Sequence, residues 1–170
     1  MDAHRFEFFS PHSEAELEQT RLLLLEYASE LKVDLCFQGF ERELRELPGS
    51  YGGSGGGLLL ARLDDQIAGC CAFRTLRAAG HNGACEMKRL YVRPGYRGLG
   101  LGRQLVKHTL DAACRKGFSS VLLDTLDGME KAQALYQSLG FFEVPAYYQN
   151  PIRGARYLKA WLAAPIAQKP

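Results

Sequence analysis

The segment CEMKRLYVRPGYRGLGLGRQLVK, Cys85 to Lys107, decides how the rest of the chain is interpreted. It begins as a strand, turns at Pro94-Gly95, passes through a glycine-rich loop and continues as an amphipathic helix. Because the first N–H groups of a helix lack partners, a cationic loop at a helix start indicates an anionic ligand. In a chain with a net charge of only +2, this segment has six cationic residues and, between the first and last of them, no acidic one: Lys88, Arg89, Arg93, Arg97, Arg103 and Lys107.

Glycines alternate in the loop at Gly98, Gly100 and Gly102, so that side chains do not screen the main-chain N–H groups from phosphate oxygens. Arg97 precedes them in the pattern R-x-x-G-x-G. With the strand EMKRLYV before it and ALYQSLGF further on, this pattern resembles the pyrophosphate-binding signature of the GNAT N-acetyltransferase superfamily, which binds acetyl-coenzyme A. The resemblance covers residues 58–162 well and the first fifty weakly. The alternative is a tight turn whose glycines only permit close packing.

The resemblance implies a mixed α/β fold, the GNAT acyl-CoA N-acyltransferase fold, with a mostly antiparallel central sheet and helices on both faces. The order of the elements, antiparallel strands followed by strand–helix–strand crossovers, favours the same architecture. In that fold the strand before the loop separates from its neighbour, and its backbone pairs with the pantetheine amides. The matching positions are Leu90, Tyr91 and Val92 for pantetheine, and Arg97, Gly98, Leu99, Gly100, Leu101, Gly102 and Arg103 for the diphosphate.

Glu86 is the candidate general base. A free alkylamine has a pKa near ~10, so a base must remove a proton before the nitrogen can attack a thioester. Glu86 lies eleven positions before Arg97, a spacing similar to that of the glutamate base in some family members. The alternative is a strand carboxylate that forms a salt bridge with the neighbouring Lys88.

Tyr136 matches the tyrosine of the family's A-x-x-x-Y-x-x-x-G-F segment, here residues 132–141, which lies beside the coenzyme sulfur. A phenol is a weaker acid than a thiol by roughly 2 kcal/mol, so the expected role is a hydrogen bond to the developing thiolate. The alternative is a tyrosine packed on the helix face with Ala132 and Leu139. Relatives often have Asn seven positions earlier, where this chain has Met129.

The expected reaction is direct acetylation of a primary amine of a small molecule or peptide, because no Cys–His nucleophile pair is apparent. A non-catalytic acyl-CoA-binding sensor on the same fold is the alternative. A Rossmann-type nucleotide binder is a third, disfavoured hypothesis, because the third glycine of its fingerprint would fall at Arg103. The resemblance places the acceptor beside five residues: Asp34, Phe37, Gln38, Tyr147 and Tyr148.

A length of 170 residues, with 46% hydrophobic and 24% charged residues, predicts a single domain, 1–170, in which Gly49–Gly57 forms a mobile surface loop. Five cysteines without a C-x-x-C pair indicate reduced thiols, neither disulfide nor metal site, and a cytoplasmic protein. No signal peptide or membrane span is expected. The basic excess is local, so we expect no nucleic-acid partner. A homodimer would be usual for the family.

The periodicity of apolar residues predicts the remaining elements. The expected helices are a capped one from Ser13 to about Leu31, Phe40–Leu47, one after the glycines, and Met129–Gly140. The expected strands are Arg5–Phe9, Leu58–Arg62, Gln66–Leu76, one beginning at Cys85, Ser119–Thr125, Phe141–Val144 and Ala155–Leu162.

Overall fold

The computed structural model describes residues 5–163. Its strands are β1 Glu7–Phe9, β2 Gly56–Leu63, β3 Gln66–Thr75, β4 Ala84–Val92, β5 Ser120–Leu126, β6 Phe142–Val144 and β7 Ala155–Trp161. Its α-helices are α1 Glu14–Leu31, α2 Phe40–Glu46, α3 Leu101–Arg115 and α4 Glu130–Ser138. Each of these elements overlaps one predicted from the sequence, and the differences lie at the ends.

All seven strands belong to one sheet, in the order β1-β2-β3-β4-β5-β7-β6. β4 and β5 are parallel, and every other neighbouring pair is antiparallel. Parallel neighbours require a crossover connection, and α3 provides it. The predicted mixed, mostly antiparallel sheet is therefore confirmed.

Helices cover both faces of this sheet, and two apolar cores result. Leu23 and Leu24 of α1 pack with Cys70 on one face, whereas Leu105 of α3 packs with Cys71 on the other. The adjacent cysteines of β3 point to opposite faces because successive side chains of a strand alternate. Both thiols are fully buried.

The helix ends follow local sequence signals. Ser13 and Glu16 form the predicted capping box at the start of α1. In α3 the apolar side contains Leu105, Val106, Thr109 and Ala113, all buried, as the spacing predicts. Between residues 5 and 163, no helix is both long and apolar enough to cross a bilayer.

The glycine-rich stretch from residue 49 to residue 57 contains regular secondary structure. It forms two short 3-10 turns, and Gly56 and Gly57 already belong to β2, which corrects the predicted start of that strand at Leu58. A Cβ at Gly56 would lie 2.2 Å from the Ser50 carbonyl oxygen, so the strand can pass there only as glycine. Lys116 donates hydrogen bonds to the carbonyls of Gly53 and Gly56. The mobility of this stretch stays a prediction.

Candidate active site

The parallel strands β4 and β5 separate soon after they begin to pair. Their register covers only Ala84–Glu86 against Ser120–Leu122. Arg89 has a φ of 62° at a shift in the β3–β4 register, and such a bulge bends a strand away from its neighbour. A cavity of about 70 Å³ lies where the strands diverge, with Leu90 in its wall. The separation matches the one expected beside Leu90, Tyr91 and Val92.

The loop that follows β4 presents unpaired main-chain N–H groups. Within residues 5–163, the N–H groups of residues 98–103 have no hydrogen-bond acceptor. Gly98 and Gly100 both have φ of +78°, and a Cβ at either would meet no atom within 4 Å. Close packing is therefore not what these glycines provide. These glycines instead allow a left-handed backbone, a conformation that is costly for other residues and that is found in turns whose successive N–H groups bind anions.

Four of the six cationic residues of the segment pair with carboxylates, so the charge available at the loop is smaller than the count along the sequence indicates. Lys88 and Arg89 are buried and paired inside the protein. Arg93 pairs with Glu26 at 2.7 Å. Arg97 pairs with Glu30 and donates from Nε to the Val92 carbonyl at 2.8 Å. Arg103 donates to the Ser138 hydroxyl at 2.7 Å. The loop therefore offers an anion its main-chain N–H groups more than free side-chain charge.

Glu86 is buried and has three partners. Its Oε1 lies 3.1 Å from Lys88 Nζ and accepts a hydrogen bond from the Tyr147 hydroxyl at 3.0 Å. Its Oε2 accepts one from Arg74 Nε at 3.2 Å. The two interpretations drawn from the sequence are thus not exclusive, because Glu86 does form the salt bridge with Lys88. A carboxylate offers roughly four lone-pair sites, so about one remains for an acceptor amine or a water.

Lys88 connects Glu86 to a second carboxylate. Its Nζ lies 3.2 Å from Asp124 Oδ1 on β5, at a point where the two strands no longer pair. Asp124 Oδ2 accepts hydrogen bonds from Tyr148 at 2.7 Å and from Asn150 at 3.0 Å. Asp124 would be the ribose-binding residue of a Rossmann site, but here it is held by Lys88 and the loop before β7.

Tyr147 and Tyr148 close this network with their rings. Their ring centroids are 5.4 Å apart, and each also packs on the ring of Tyr157. Burial, then the nearby carboxylates Glu86 and Asp124, raises the pKa of the Tyr147 phenol. Burial, and then the hydrogen bond to Asp124, also raises the pKa of the Tyr148 phenol. Both hydroxyls therefore stay protonated and act as hydrogen-bond donors.

Glu86 opens on a cavity of about 450 Å³, and most of the predicted acceptor residues lie around it. Gln38, Tyr147 and Tyr148 line it together with Arg74, Arg77 and Lys88. Asp34 is exposed, lines none of the cavities described, and accepts a hydrogen bond from the Cys36 N–H at 2.8 Å. The side chain of Phe37 lies outside the part of the chain that the structure describes.

Tyr136 lies at the smaller cavity, away from Glu86. It is buried, lines the smaller cavity between β4 and β5, and packs against Phe141 with ring centroids 5.6 Å apart. Tyr136 also belongs to the same apolar cluster as Ala132 and Leu139, the alternative interpretation, so packing and access to the cavity coexist. Burial raises the pKa of its phenol. Met129 lines the same cavity, and its sulfur accepts a hydrogen bond from Thr125 at 3.8 Å.

The two cavities share a wall. Lys88 and Gln38 line both the smaller cavity, which holds Tyr136, and the larger cavity, which holds Glu86. Sequence reasoning missed Arg74 and Asp124 as partners of the site, whereas Lys88 was expected beside Glu86. Only the period of two along β4 signals that Glu86 and Lys88 share a face.

His81 also lies beside the site, although it was not among the site residues predicted from the sequence. It lies in the turn before β4, with its ring centroid 6.2 Å from that of Tyr147. Its Nδ1 is buried without a hydrogen-bond partner within residues 5–163. Nothing in the local sequence links His81 to Tyr147, since the contact joins two distant loops.

Comparison with known proteins finds N-acetyltransferases with similar sequences. An uncharacterized N-acetyltransferase of Schizosaccharomyces pombe is 42% identical to this chain over 145 residues. The match covers 85% of this chain and 87% of the relative. A similarly named N-acetyltransferase of Dictyostelium discoideum is 27% identical, over 80% of this chain and 89% of the relative.

A solved structure shares the fold. The GNAT-family acetyltransferase of Staphylococcus aureus superposes with a TM-score of 0.75 at 21% identity, over 94% of this chain and 100% of that one. The model of the acetyltransferase (GNAT) family matches residues 17–141, a range that runs from α1 through α4 and includes β4, the loop and Tyr136. The chain is therefore a member of the GNAT acetyltransferase family.

Proposed function

We propose that this acetyltransferase transfers the acetyl group of acetyl-CoA directly to a primary amine of a small molecule or peptide. The observation that carries the proposal is the run of unpaired N–H groups at residues 98–103, beside a gap between β4 and β5. A helix N-terminus with open amides binds phosphate oxygens, and a strand without a neighbour pairs with amides of an extended ligand. The residues present therefore fit a coenzyme that combines a diphosphate with a pantetheine arm.

Acetyl-CoA supplies an acetyl thioester when bound, and the reaction forms a C–N bond to the acceptor while the C–S bond to the coenzyme breaks. The acceptor enters as an ammonium ion and loses two protons. Glu86 accepts the first, directly or through a water, at the lone pair of Oε2 that Arg74 leaves open. The second accompanies the departing sulfur, so that the products are an N-acetylated amine, a free thiol and one proton released to solvent.

Arg74 and Lys88 contact the two oxygens of the Glu86 carboxylate and hold it in place at the cavity. A carboxylate in this position attracts and orients an incoming ammonium group. A proton that Glu86 takes from the acceptor passes to solvent before the next turnover.

Tyr136 donates a hydrogen bond to the leaving sulfur. Because burial raises the pKa of its phenol, full proton transfer to a thiolate is even less favourable than ordinary pKa values suggest. A neutral donor in a buried cavity stabilises developing negative charge and keeps its own proton. This role requires only that Tyr136 remain protonated.

Direct transfer is supported by the state of the cysteines around the site. Burial raises the pKa of the Cys85 and Cys71 thiols to about 12. Neither thiol becomes a thiolate near neutral pH, and the thiolate is the nucleophilic form. An acetylated cysteine is therefore not part of the proposed pathway.

Thiol release from acetyl-CoA, measured across amino acids, polyamines, aminoglycosides and peptides, tests the proposal. Glu86→Gln lowers kcat about 100-fold or more, as loss of a general base does, and leaves coenzyme affinity unchanged by calorimetry. Glu143→Gln is the matched control, because this exposed carboxylate on β6 lines none of the cavities described.

Two results would contradict the proposal. Absence of acetyl-CoA binding would remove it altogether. Normal coenzyme binding without thiol release for any amine, and with no effect of Glu86→Gln, would instead identify a non-catalytic acyl-CoA sensor.

A further inference from the structure

The cavity in front of Glu86 carries an excess of positive charge. Its charged lining consists of one carboxylate, Glu86, and three cations, Arg74, Arg77 and Lys88. Asp124 faces Lys88 from the other side and offsets one of those charges. The balance remains positive. A polyamine, which carries several positive charges, would be repelled from such a cavity, whereas an acceptor with an anionic group would be attracted.

Arg74 is the cation placed to bind that anionic group. Its Nε holds Glu86, but within residues 5–163 its two terminal nitrogens donate no hydrogen bond. Its side chain remains 33% exposed. It lines both the acceptor cavity and an adjoining cavity of about 290 Å³, so that its guanidinium lies at the junction of the two. The free edge of a guanidinium matches the two oxygens of a carboxylate.

We infer that the acceptor is a free α-amino acid, with its α-amine at Glu86 and its α-carboxylate on the terminal nitrogens of Arg74; this rests on the proposed function. The same guanidinium contacts Glu86 and presents its free edge to the cavity, so the bound amine and the bound anion lie close together. In an α-amino acid a single carbon separates these two groups. A peptide N-terminus has an amide at that place, and the side-chain amine of lysine lies much further from its carboxylate.

The test compares each of the common L-amino acids with two analogues that lack the carboxylate: its amide and its decarboxylated amine. The pKa of the amide's amine lies below that of the amino acid and that of the decarboxylated amine lies above it. A preference for the amino acid over both is therefore not an effect of amine basicity. For the best amino acid, kcat/KM exceeds that of either analogue about 10- to 100-fold, which is the value of a hydrogen-bonded charge pair.

Arg74→Gln removes this preference, because the amino acid loses kcat/KM while its amide and amine are affected much less. A loss common to all three substrates would report the contact of Arg74 with Glu86 instead. The control is Arg45→Gln, which removes the same charge from an exposed position of α2 that lines none of the cavities described. Calorimetric titration of amino acid and amide into the CoA-bound protein gives the same ranking without turnover.

The inference is overturned if the amide or the decarboxylated amine is used as well as the amino acid, or if Arg74→Gln keeps the preference. If the variant does not fold, the comparison of substrates on the unmodified protein decides alone. Failure of the proposed function looks different, since then neither acetyl-CoA binding nor transfer to any amine is found. Transfer to amines and amides alone leaves the acetyltransferase proposal intact and removes only this one.

Discussion

Replacing Gly100 with alanine separates the ligand-binding role of the loop from its role in the fold. Gly100 caps α3 with a φ of +78°, and a Cβ there would meet no protein atom within 4 Å. The substitution therefore causes no clash inside the protein. Its only intrinsic cost is the left-handed backbone, about 1–2 kcal/mol, which lowers Tm by about 2–8 °C in a chain of this size.

Gly117 provides a matched control. It follows α3 at its other end, about 22 Å away for a helix of this length, and has a φ of +87° with open space around its Cβ. Gly117→Ala therefore has the same backbone cost and a similar fall in Tm. Any further difference between the two variants must come from what binds at the loop.

The measured quantity is the dissociation constant of acetyl-CoA by calorimetry, with Tm by differential scanning. Gly100→Ala weakens binding about 10- to 100-fold, which corresponds to the loss of one charge-assisted hydrogen bond of about 1.5–3 kcal/mol. Gly117→Ala leaves the dissociation constant unchanged. Equal affinity in the two variants would refute the idea that the main-chain amides of residues 98–103 bind the diphosphate.

Further predictions concern buried phenols and the buried ion pair. Tyr136→Phe lowers kcat about 10-fold or more with little change in coenzyme affinity, and an unchanged kcat would exclude a hydrogen bond to the leaving sulfur. Burial raises the pKa of Tyr136 and Tyr147 above that of an unfolded tyrosine, near ~10, so above this pH the folded state binds more protons than the unfolded state. The free energy of unfolding is therefore maintained up to about pH 10 and falls at higher pH, which urea titrations between pH 8 and 11 measure; a constant value would contradict it. Glu43→Ala leaves the Arg89 guanidinium buried without its carboxylate and costs about 3–5 kcal/mol in urea unfolding, whereas Arg42→Ala, in an exposed pair, costs less than about 1 kcal/mol. Equal costs would show that the buried pair contributes no more to the free energy of unfolding than the exposed pair does.

Local signals in the sequence were sufficient for the elements and for the glycine loop that precedes α3. The capping box at Ser13 and the alternation of glycines after Arg97 depend on neighbours a few residues apart, and the structure confirms the elements built on them. Pattern and periodicity report such short-range structure well.

The charge network could not be predicted in this way. Arg89 pairs with Glu43, 46 positions earlier, and Lys88 with Asp124, 36 positions later. Counting charges along the chain assigned both cations to an anion site, because sequence spacing contains no information on which residues meet across the sheet. The left-handed φ of Arg89 was equally hidden, since only the bulge in β4 requires it.

The position of Lys88 in the wall between the two cavities has a thermodynamic consequence. An ammonium group that faces both compartments cannot respond to a ligand in one of them without changing the electrostatic potential in the other. By linkage, whatever factor the coenzyme applies to acceptor affinity, the acceptor applies to coenzyme affinity. Under the proposed function, with the coenzyme in one compartment and the acceptor in the other, the affinity for either substrate therefore depends on whether the opposite compartment is occupied.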